Sequence, residues 1–572
     1  MKRCPECRRD YYDDSLIYCL DDGTALLEGP SSGNDPATAI FPGRSSQALR
    51  ESETKVLGGS TAENGAAQLS ANVPSKRKWI IAGALGVLLV TAFGVGSYWL
   101  YGRGSSRQIE SIAVMPFMNE SGNPELEYLS DGITESLIGS LSQLPNLSVK
   151  ARSSIFRYKN RVVDPRTVGQ ELNVQAILSG RVVQRGSDVA LYLELVDAGS
   201  ENVLFKADYD RPLANLVALQ NEIARDVSNR LRAKLTTSQR AQVEKSGTQN
   251  AEAYQLYLKG RFHWNKRKPD EHRKAIQYFE EAIALDPNYA LAYSGIADCY
   301  AVDTSPVHGQ EAIDKLRAAA RRAMELDPTL GAPHAAYATT YGPSYDWPAS
   351  EKEYTRAIEL DPNYPTAHQW YAEMLSRLGR HDQAIAEIDR ARELDPLSLV
   401  INSDRAYILV NARRYDEAIQ QAKRTLEMDA RWRSARTWLA YAYELKGMFD
   451  EALTEYEKSI QYADIPAERK EKALKEVAEG RDVLRRSGPT GYWRKSLELA
   501  KAPQLDGSEP SSFYVGALYA ILGEKDEAFK WISKAIDEKA YGVDLLKVDP
   551  SFDNLRSDPR WPAILARVNL TP

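Results

Sequence analysis

Residues 359–365 read "ELDPNYP", and residues 285–290 already read "LDPNYA". The tripeptide returns at Leu285-Asp286-Pro287, Leu326-Asp327-Pro328, Leu360-Asp361-Pro362 and Leu394-Asp395-Pro396, with a worn copy at Met428-Asp429-Ala430. The steps are 41, 34, 34 and 34 residues. A fixed stride of this size marks a stack of like units, each too small to bury its own apolar face, rather than one closed core. Proline ends each unit, because it cannot continue the helical hydrogen-bond ladder.

Counting back 24 residues from Pro362, Pro396, Ala430 and Asp464 reaches Ala338, Ala372, Ala406 and Ala440. Three residues on lie Tyr341, Leu375, Leu409 and Tyr443; twelve on lie Ser350, Ala384, Ala418 and Ala452. Small residues let two helices approach, and bulky ones fill the seam between them. Over residues 252–464 this pattern resembles the tetratricopeptide repeat. The first unit keeps its second half in "KAIQYFEEAIALDP" (Ala275, Phe279, Ala282, Pro287), and the seven extra residues before Pro328 fall near 303–310. The register breaks after Asp464 and recovers at Gly516, Tyr519, Ala528, Ile532 and Ala535. The reading is an array over 250–542 of about eight helical pairs, the seventh irregular, closed by a cap over 543–572.

The resemblance implies a superhelix whose concave groove is lined by the first helix of each pair. By register, its ligand-facing positions are Gln369, Glu373, Arg377, Tyr407, Asn411, Tyr441 and Glu444. Their mixed chemistry suits a protein or peptide partner in extended or helical form. The Lys/Asn carboxylate clamp of chaperone-binding members is missing. All six histidines lie in this region, with no pair at metal-ligand spacing on one helix.

The chain has 572 residues and a net charge of −6, with basic and acidic residues interspersed. Without a concentrated basic face, nucleic-acid binding is not expected. Residues 79–101, "WIIAGALGVLLVTAFGVGSYWLY", run 23 residues without a charge. That is long enough to cross a bilayer core as one helix. Trp79, Tyr98, Trp99 and Tyr101 fall at its ends, where aromatic rings favour the interface. Lys76, Arg77 and Lys78 before the span outnumber Arg103 and Arg107 after it. That bias places the N-terminus in the bacterial cytoplasm and residues 102–572 outside, on a single-pass inner-membrane anchor. Ala82/Gly86 and Ala92/Gly96 are small-residue pairs through which such a span can form a homodimer.

Three of the four cysteines crowd into "CPECRRDYYDDSLIYCLDDG", residues 4–23. Cys4 and Cys7 have the spacing at which a turn aims two thiolates at one tetrahedral ion. Cys19 opens a second knuckle in which Asp22 stands at the fourth position, Asp21 being the poorer candidate. Residues 1–28 therefore resemble a short zinc ribbon, and Cys4, Cys7, Cys19 and Asp22 are the expected ligands of a structural zinc. Residues 29–78, rich in Gly, Ser, Ala, Pro and Asn, read as a tether.

Between span and array, residues 108–235 read as a small α/β domain. "SIAVMPF" (111–117) is a buried strand, and "YLSDGITESLIGSLSQL" (128–144) has helical spacing. Asp164 caps a helix with Pro165 at its first position, two strands flank the turn at 185–188, and "VLFKADYD" (203–210) is a third. A closing helix from about Leu213 to Leu235 puts Leu216, Leu219, Ile223, Val227 and Leu231 on one face. Over 111–232, "PFMNESGNPELEYLSDGITESLIGSLSQLPNLSVKARSS", "VGQELNVQAILSGRV", "LVDA" and "LQNEIA" resemble the TolB amino-terminal-like domain, which is fused to repeat arrays in bacterial membrane and regulatory proteins. Asp131 and Glu135 stand one helical turn apart, Asp131 near a helix N-terminus and Glu135 expected on its solvated face. The chain carries no nucleophile elbow, phosphate loop or zinc-protease motif. The expected function is a non-catalytic membrane-anchored scaffold; the alternative is a transducer whose α/β domain senses a small ligand and relays to the N-terminal tip.

Overall fold

The computed structural model describes residues 2–3, 10–11, 27–28, 109–144, 147–231, 247–302, 309–502 and 509–571. Contacts divide the chain into Met1–Leu100 and Tyr101–Pro572. In the first unit, β1 (Lys2–Arg3) lies between β2 (Asp10–Tyr11) and β3 (Leu27–Glu28), antiparallel to both. The ligand positions Cys4, Cys7, Cys19 and Asp22, and the span 79–101, lie outside the described residues. Among the described residues no helix is long and apolar enough to cross a membrane.

The second unit opens with the α/β domain. Its strands are β4 (Ser111–Val114), β5 (Met118–Asn119), β6 (Ser148–Val149), β7 (Ala176–Arg185), β8 (Asp188–Asp197) and β9 (Val203–Pro212). The sheet order is β6-β4-β7-β8-β9, with β5 extending the β4 pairing along β7. β4 runs parallel to both neighbours, while β7, β8 and β9 form an antiparallel meander. Gly186, at φ 61°, supplies the left-handed residue that the tight β7–β8 turn demands.

Helices α1 (Glu127–Ser142) and α4 (Leu216–Arg230) cover one face of the sheet, burying Leu129, Ile133, Leu137, Leu219, Ile223 and Val227 against Val114, Leu178, Leu191 and Leu193. The short α2 (Arg152–Ile155) and α3 (Pro165–Leu172) cover the other face. Asp164 caps α3 by accepting the Thr167 N–H at 2.9 Å, and Asn173 ends it at φ 50°. β6 is only two residues long, and Arg152 starts α2 soon after it.

Among the described residues, eight antiparallel helical hairpins follow. They are α5 (Ala251–Trp264) with α6 (Pro269–Leu285), α7 (Ala290–Val302) with α8 (Gly309–Leu326), α9 (Ala332–Thr339) with α10 (Trp347–Leu360), α11 (Pro365–Arg377) with α12 (His381–Leu394), and α13 (Leu399–Asn411) with α14 (Tyr415–Met428). Then come α15 (Arg433–Leu445) with α16 (Phe449–Gln461), the two arms of α17 (Ala467–Lys501), and α18 (Ser512–Ile521) with α19 (Lys525–Asp537). The arms of α17 meet at Gly488, whose φ of 65° breaks the helix just before Pro489. In the first pairs glycine takes the small position: a Cβ on Gly260 or Gly295 would lie 2.4 or 2.5 Å from the Phe279 ring.

The recurrent Leu-Asp-Pro turn has a local cause. Its Asp side chain accepts the N–H two residues on, at 3.0 Å in Asp286, 3.1 Å in Asp327 and Asp361, and 2.8 Å in Asp429. The turn is thereby closed as the proline ends the helix. A second recurrence bolts the hairpins together. His334, His368, Asn402 and Arg436 succeed one another at the 34-residue stride. Each meets a side chain nineteen residues on: Glu353, Glu387, Gln421 and Glu455, at 2.6, 2.6, 2.9 and 2.5 Å. Three of them also bond the carbonyl that closes the preceding turn, at Pro362, Pro396 and Ala430. Two of the histidines are therefore hairpin bolts.

After α19 the chain does not leave the array. Two 3-10 turns, Val543–Leu545 and Pro550–Leu555, and α20 (Trp561–Ala566) fold back across it. Leu546, Phe552, Leu555 and Val568 are fully buried in one cluster with Trp347, Leu375 and Ile388 of the third and fourth pairs. The Trp347 indole N–H donates to the Val568 carbonyl at 3.2 Å.

Candidate docking groove

The seven groove positions lie on α11, α13 and α15, the first helices of the fourth to sixth pairs, and Arg377 and Tyr441 among them meet the returning C-terminal segment. Gln369 donates to Asp404 at 2.6 Å, and Asn411 donates to the Ser376 hydroxyl at 3.0 Å. Arg377 pairs with Glu373 at 3.3 Å on its own helix and with Asp544 of the returning C-terminal segment at 2.8 Å. Tyr407 is buried against Trp438, with ring centroids 4.8 Å apart. The Tyr441 hydroxyl donates to Asp549 at 2.9 Å and lies 3.0 Å from the Ser551 hydroxyl. Glu444 accepts from Tyr492 at 2.7 Å and Tyr456 at 3.3 Å.

The groove thus has a resident occupant along these pairs. Arg413 extends the contact, holding Asp553 through Nε at 3.0 Å and donating to the Val548 carbonyl at 2.6 Å. Repeat register does not point to Arg413, because it sits just past its helix. The signal that sequence does offer is the run of acids Asp544, Asp549 and Asp553 beyond the last repeat. Gly542 sets the course of the segment: its φ is 100°, and a Cβ there would lie 2.8 Å from the Phe513 ring. Burial pushes Glu444 up to about 7, its two tyrosine donors offsetting only part of that cost. Burial, reinforced by the Glu373 carboxylate, holds Asp404 well above the usual carboxylate range.

Further toward the N-terminus the described residues leave open space within the array. A cavity of about 440 Å³ lies between the second, third and fourth pairs and residues 539–544. Its walls are largely apolar and aromatic, with Ile313, Leu316, Trp347, Tyr354, Trp370 and Met374 among them. Glu373, Arg377, Lys539 and Asp544 supply its charges. Tyr541, 85% exposed, stands at its rim.

The α/β domain is clamped to the edge of the array formed by the Leu-Asp-Pro turns. Asn363 donates to the carbonyls of Ser142 and Leu147 at 3.0 and 3.1 Å, and Lys150 donates to the Glu393 carbonyl at 2.5 Å. In the fourth pair Ser154 enters the turn itself. Its hydroxyl donates to Asp395 at 2.5 Å and accepts the Leu397 N–H at 2.8 Å, the role that the turn's own Asp fills elsewhere. Burial raises the carboxyl of Asp395, and pushes Asp361 in the preceding turn to about 6.

Glu135 is not on a solvated face. It is mostly buried where α1 meets α5, bonded by Arg261 at 2.7 Å and paired with Arg152 at 3.2 Å. Arg261 also bonds Asp298 of α7 at 3.0 Å, while Asp131 is held by Lys159 at 2.7 Å. Gly132 admits Leu258 to this contact, where a Cβ would come within 2.8 Å. Glu135 fastens domain to array, a role hidden in sequence because it depends on a partner more than a hundred residues away. Asp131 stays within its own domain.

Comparison with known proteins assigns the repeats. Tetratricopeptide families match residues 256–289, 353–386 and 403–468. The array is a tetratricopeptide solenoid. Residues 107–226 match the family described as HilA/YgeH-like transcriptional regulator, second domain. A 190-residue stretch is 35% identical to a protein of Rhizobium meliloti (strain 1021) named "Putative adenylate cyclase 3", covering 33% of this chain. The chain spans about a third of that relative's length, 32%. Similar solved structures include YrrB, described as a TPR protein with an unusual peptide-binding site, at 19% identity, TM-score 0.26, covering 34% of this chain and 97% of that one. A thermophilic TPR protein in Thermus thermophilus gives 18% identity, TM-score 0.29, and 33% and 99% coverage. Human IFIT1, a dimer with m7Gppp-AAAA, gives 14% identity, TM-score 0.35, and 56% and 78% coverage.

Proposed function

We propose that this chain is a non-catalytic scaffold of the bacterial inner membrane that holds a protein partner on its tetratricopeptide solenoid. Tetratricopeptide repeats generally mediate protein–protein interaction, and the cavity that the described residues leave between the second, third and fourth pairs carries the reading. Its lining of apolar and aromatic residues with a few polar groups is the composition of recognition sites. The uncharged run 79–101 supports a single-pass anchor with a cytoplasmic N-terminus. That anchor orders the chain as a zinc-ribbon-like tip, tether, span, TolB-like domain and solenoid. The zinc would be structural, on Cys4, Cys7, Cys19 and Asp22, and the small-residue pairs of the span would allow a homodimer.

A photo-crosslinking amino acid at Tyr541, on the open rim, tests the reading against one at Glu359, on the second helix of the third pair. Partner adducts are expected at Tyr541 alone. Adducts at neither position, or equally at both, would remove the groove from the account.

A second reading is favoured by the match of residues 107–226 to a regulator's second domain. In it the chain is a transducer, the α/β domain senses a small ligand, and the N-terminal tip relays occupancy. A reporter of cytoplasmic or external location fused after residue 572 bears on both, since each needs the C-terminus outside.

A further inference from the structure

We propose that His368 is a proton-operated latch on the fourth pair, closed while its ring carries both N–H protons and loosened when one leaves. The latch lies at the joint between array and α/β domain, and it is independent of whether a protein partner docks on the solenoid.

The ring is buried, and both of its nitrogens meet oxygens that accept. Nδ1 lies 2.6 Å from the Glu387 carboxylate and Nε2 lies 3.1 Å from the Pro362 carbonyl. A neutral imidazole has one N–H and donates from one nitrogen; the imidazolium donates from both. The form that satisfies both contacts is therefore the cation.

The same register position in the next two pairs supports that assignment. In the sixth pair it is Arg436, a permanent cation, which donates to Glu455 at 2.5 Å and to the Ala430 carbonyl. In the fifth it is neutral Asn402, which donates to the Pro396 carbonyl at 2.9 Å and accepts from neutral Gln421 at 2.9 Å. The partner is acidic where the bolt can carry a positive charge, and an amide where it cannot. His368 thus makes the two contacts of the arginine with a side chain type whose charge changes near neutral pH.

Placement gives the latch its reach. Pro362 sits in the turn Asp361–Asn363, and Asn363 donates to the Ser142 and Leu147 carbonyls of the α/β domain at 3.0 and 3.1 Å. The ring therefore ties both helices of the fourth pair to the turn that carries the domain. The charged groups around it are Asp361 in that turn, Glu387 on α12, Arg390 on α12, which bonds Asn363 at 3.2 Å, and Asp404 on α13, which accepts from the neighbouring Gln369. The His368 charge opposes the burial that pushes Asp361 up to about 6. Loss of the ring proton then removes one bond from the turn and one favourable charge from beside it.

Hydrogen exchange of the full chain in detergent, compared as protection factors at about pH 5.5 and about pH 8, tests the latch in Pro365–Arg377, His381–Leu394 and residues 141–149. Protection in the wild-type chain is expected to fall as pH rises, by roughly tenfold more than in either of two variants. His368→Arg copies the sixth pair and stays cationic at both pH values. His368→Asn combined with Glu387→Gln copies the fifth pair and has no ring proton to lose. Equal falls in the wild type and both variants, a rise in wild-type protection with pH, or wild-type protection of 141–149 that does not change with pH would each overturn the proposal.

Discussion

The two halves of the concave face are built from the same repeat and do opposite things. Along α11, α13 and α15 the inward side chains are committed within the chain, Gln369, Asn411 and Glu444 to neighbouring helices and Arg377 and Tyr441 to the returned C-terminal segment, which Arg413 also holds through Asp553. Toward the second and third pairs, Trp370 and Met374 of α11 border open space among the described residues, with Arg377 and Asp544 at the boundary between the two halves. Repeat register therefore predicts which residues point inward, and says nothing about what they meet there.

The largest expected effect comes from breaking the filled half. Phe552 is fully buried in the cluster joining the returned segment to the third and fourth pairs. Phe552→Ala should cost about 3–5 kcal/mol in urea denaturation, by lost burial plus the cavity left behind. Arg261, at the opposite end, holds the buried carboxylates of Glu135 and Asp298. Arg261→Met takes the paired cation from Asp298 and leaves Glu135 to Arg152 and Asn265, and should come close, at about 3 kcal/mol. Limited proteolysis should then attack the junction of α1 and α5 and spare the C-terminal segment.

Glu444 gives the filled half a pH signature. Its folded-state value, about 7, lies above the ordinary 4.5 of a glutamate. The native state therefore holds its proton longer than the unfolded chain does, and stability falls as pH rises from about 4.5 to about 7. Glu444→Gln, neutral throughout, should flatten that window, matching wild type near pH 4 and exceeding it at pH 8 by on the order of 2–3 kcal/mol. The smallest effect belongs to the open rim: Tyr541→Ala should leave stability within about 0.5 kcal/mol by thermal denaturation.

What sequence could and could not disclose follows the range of the forces involved. The hairpins were legible because their causes are local and repeated: small residues at Ala338, Ala372, Ala406 and Ala440, and a proline-stopped turn every 34 residues. The bolts at His334, His368, Asn402 and Arg436 obey the same stride, but their residue types change, so the recurrence shows only when the partners are seen. Ser154 leaves no periodic trace, since it matters only because the α/β domain meets the turn at Asp395. The filled groove was hidden for a related reason. Asp544, Asp549 and Asp553 reach α11, α15 and the end of α13 only after the solenoid has curved through eight pairs, a sum of small rotations that no local pattern encodes.

Hydrogen exchange tests the account most directly, comparing the full chain with one ending at residue 538. Loss of the returned segment should speed amide exchange along Pro365–Arg377, Leu399–Asn411 and Arg433–Leu445 by about tenfold or more. Ala251–Trp264, far from that segment in the stack, should stay protected. Unchanged protection of those three helices would contradict the claim that the C-terminal residues fill this half of the groove.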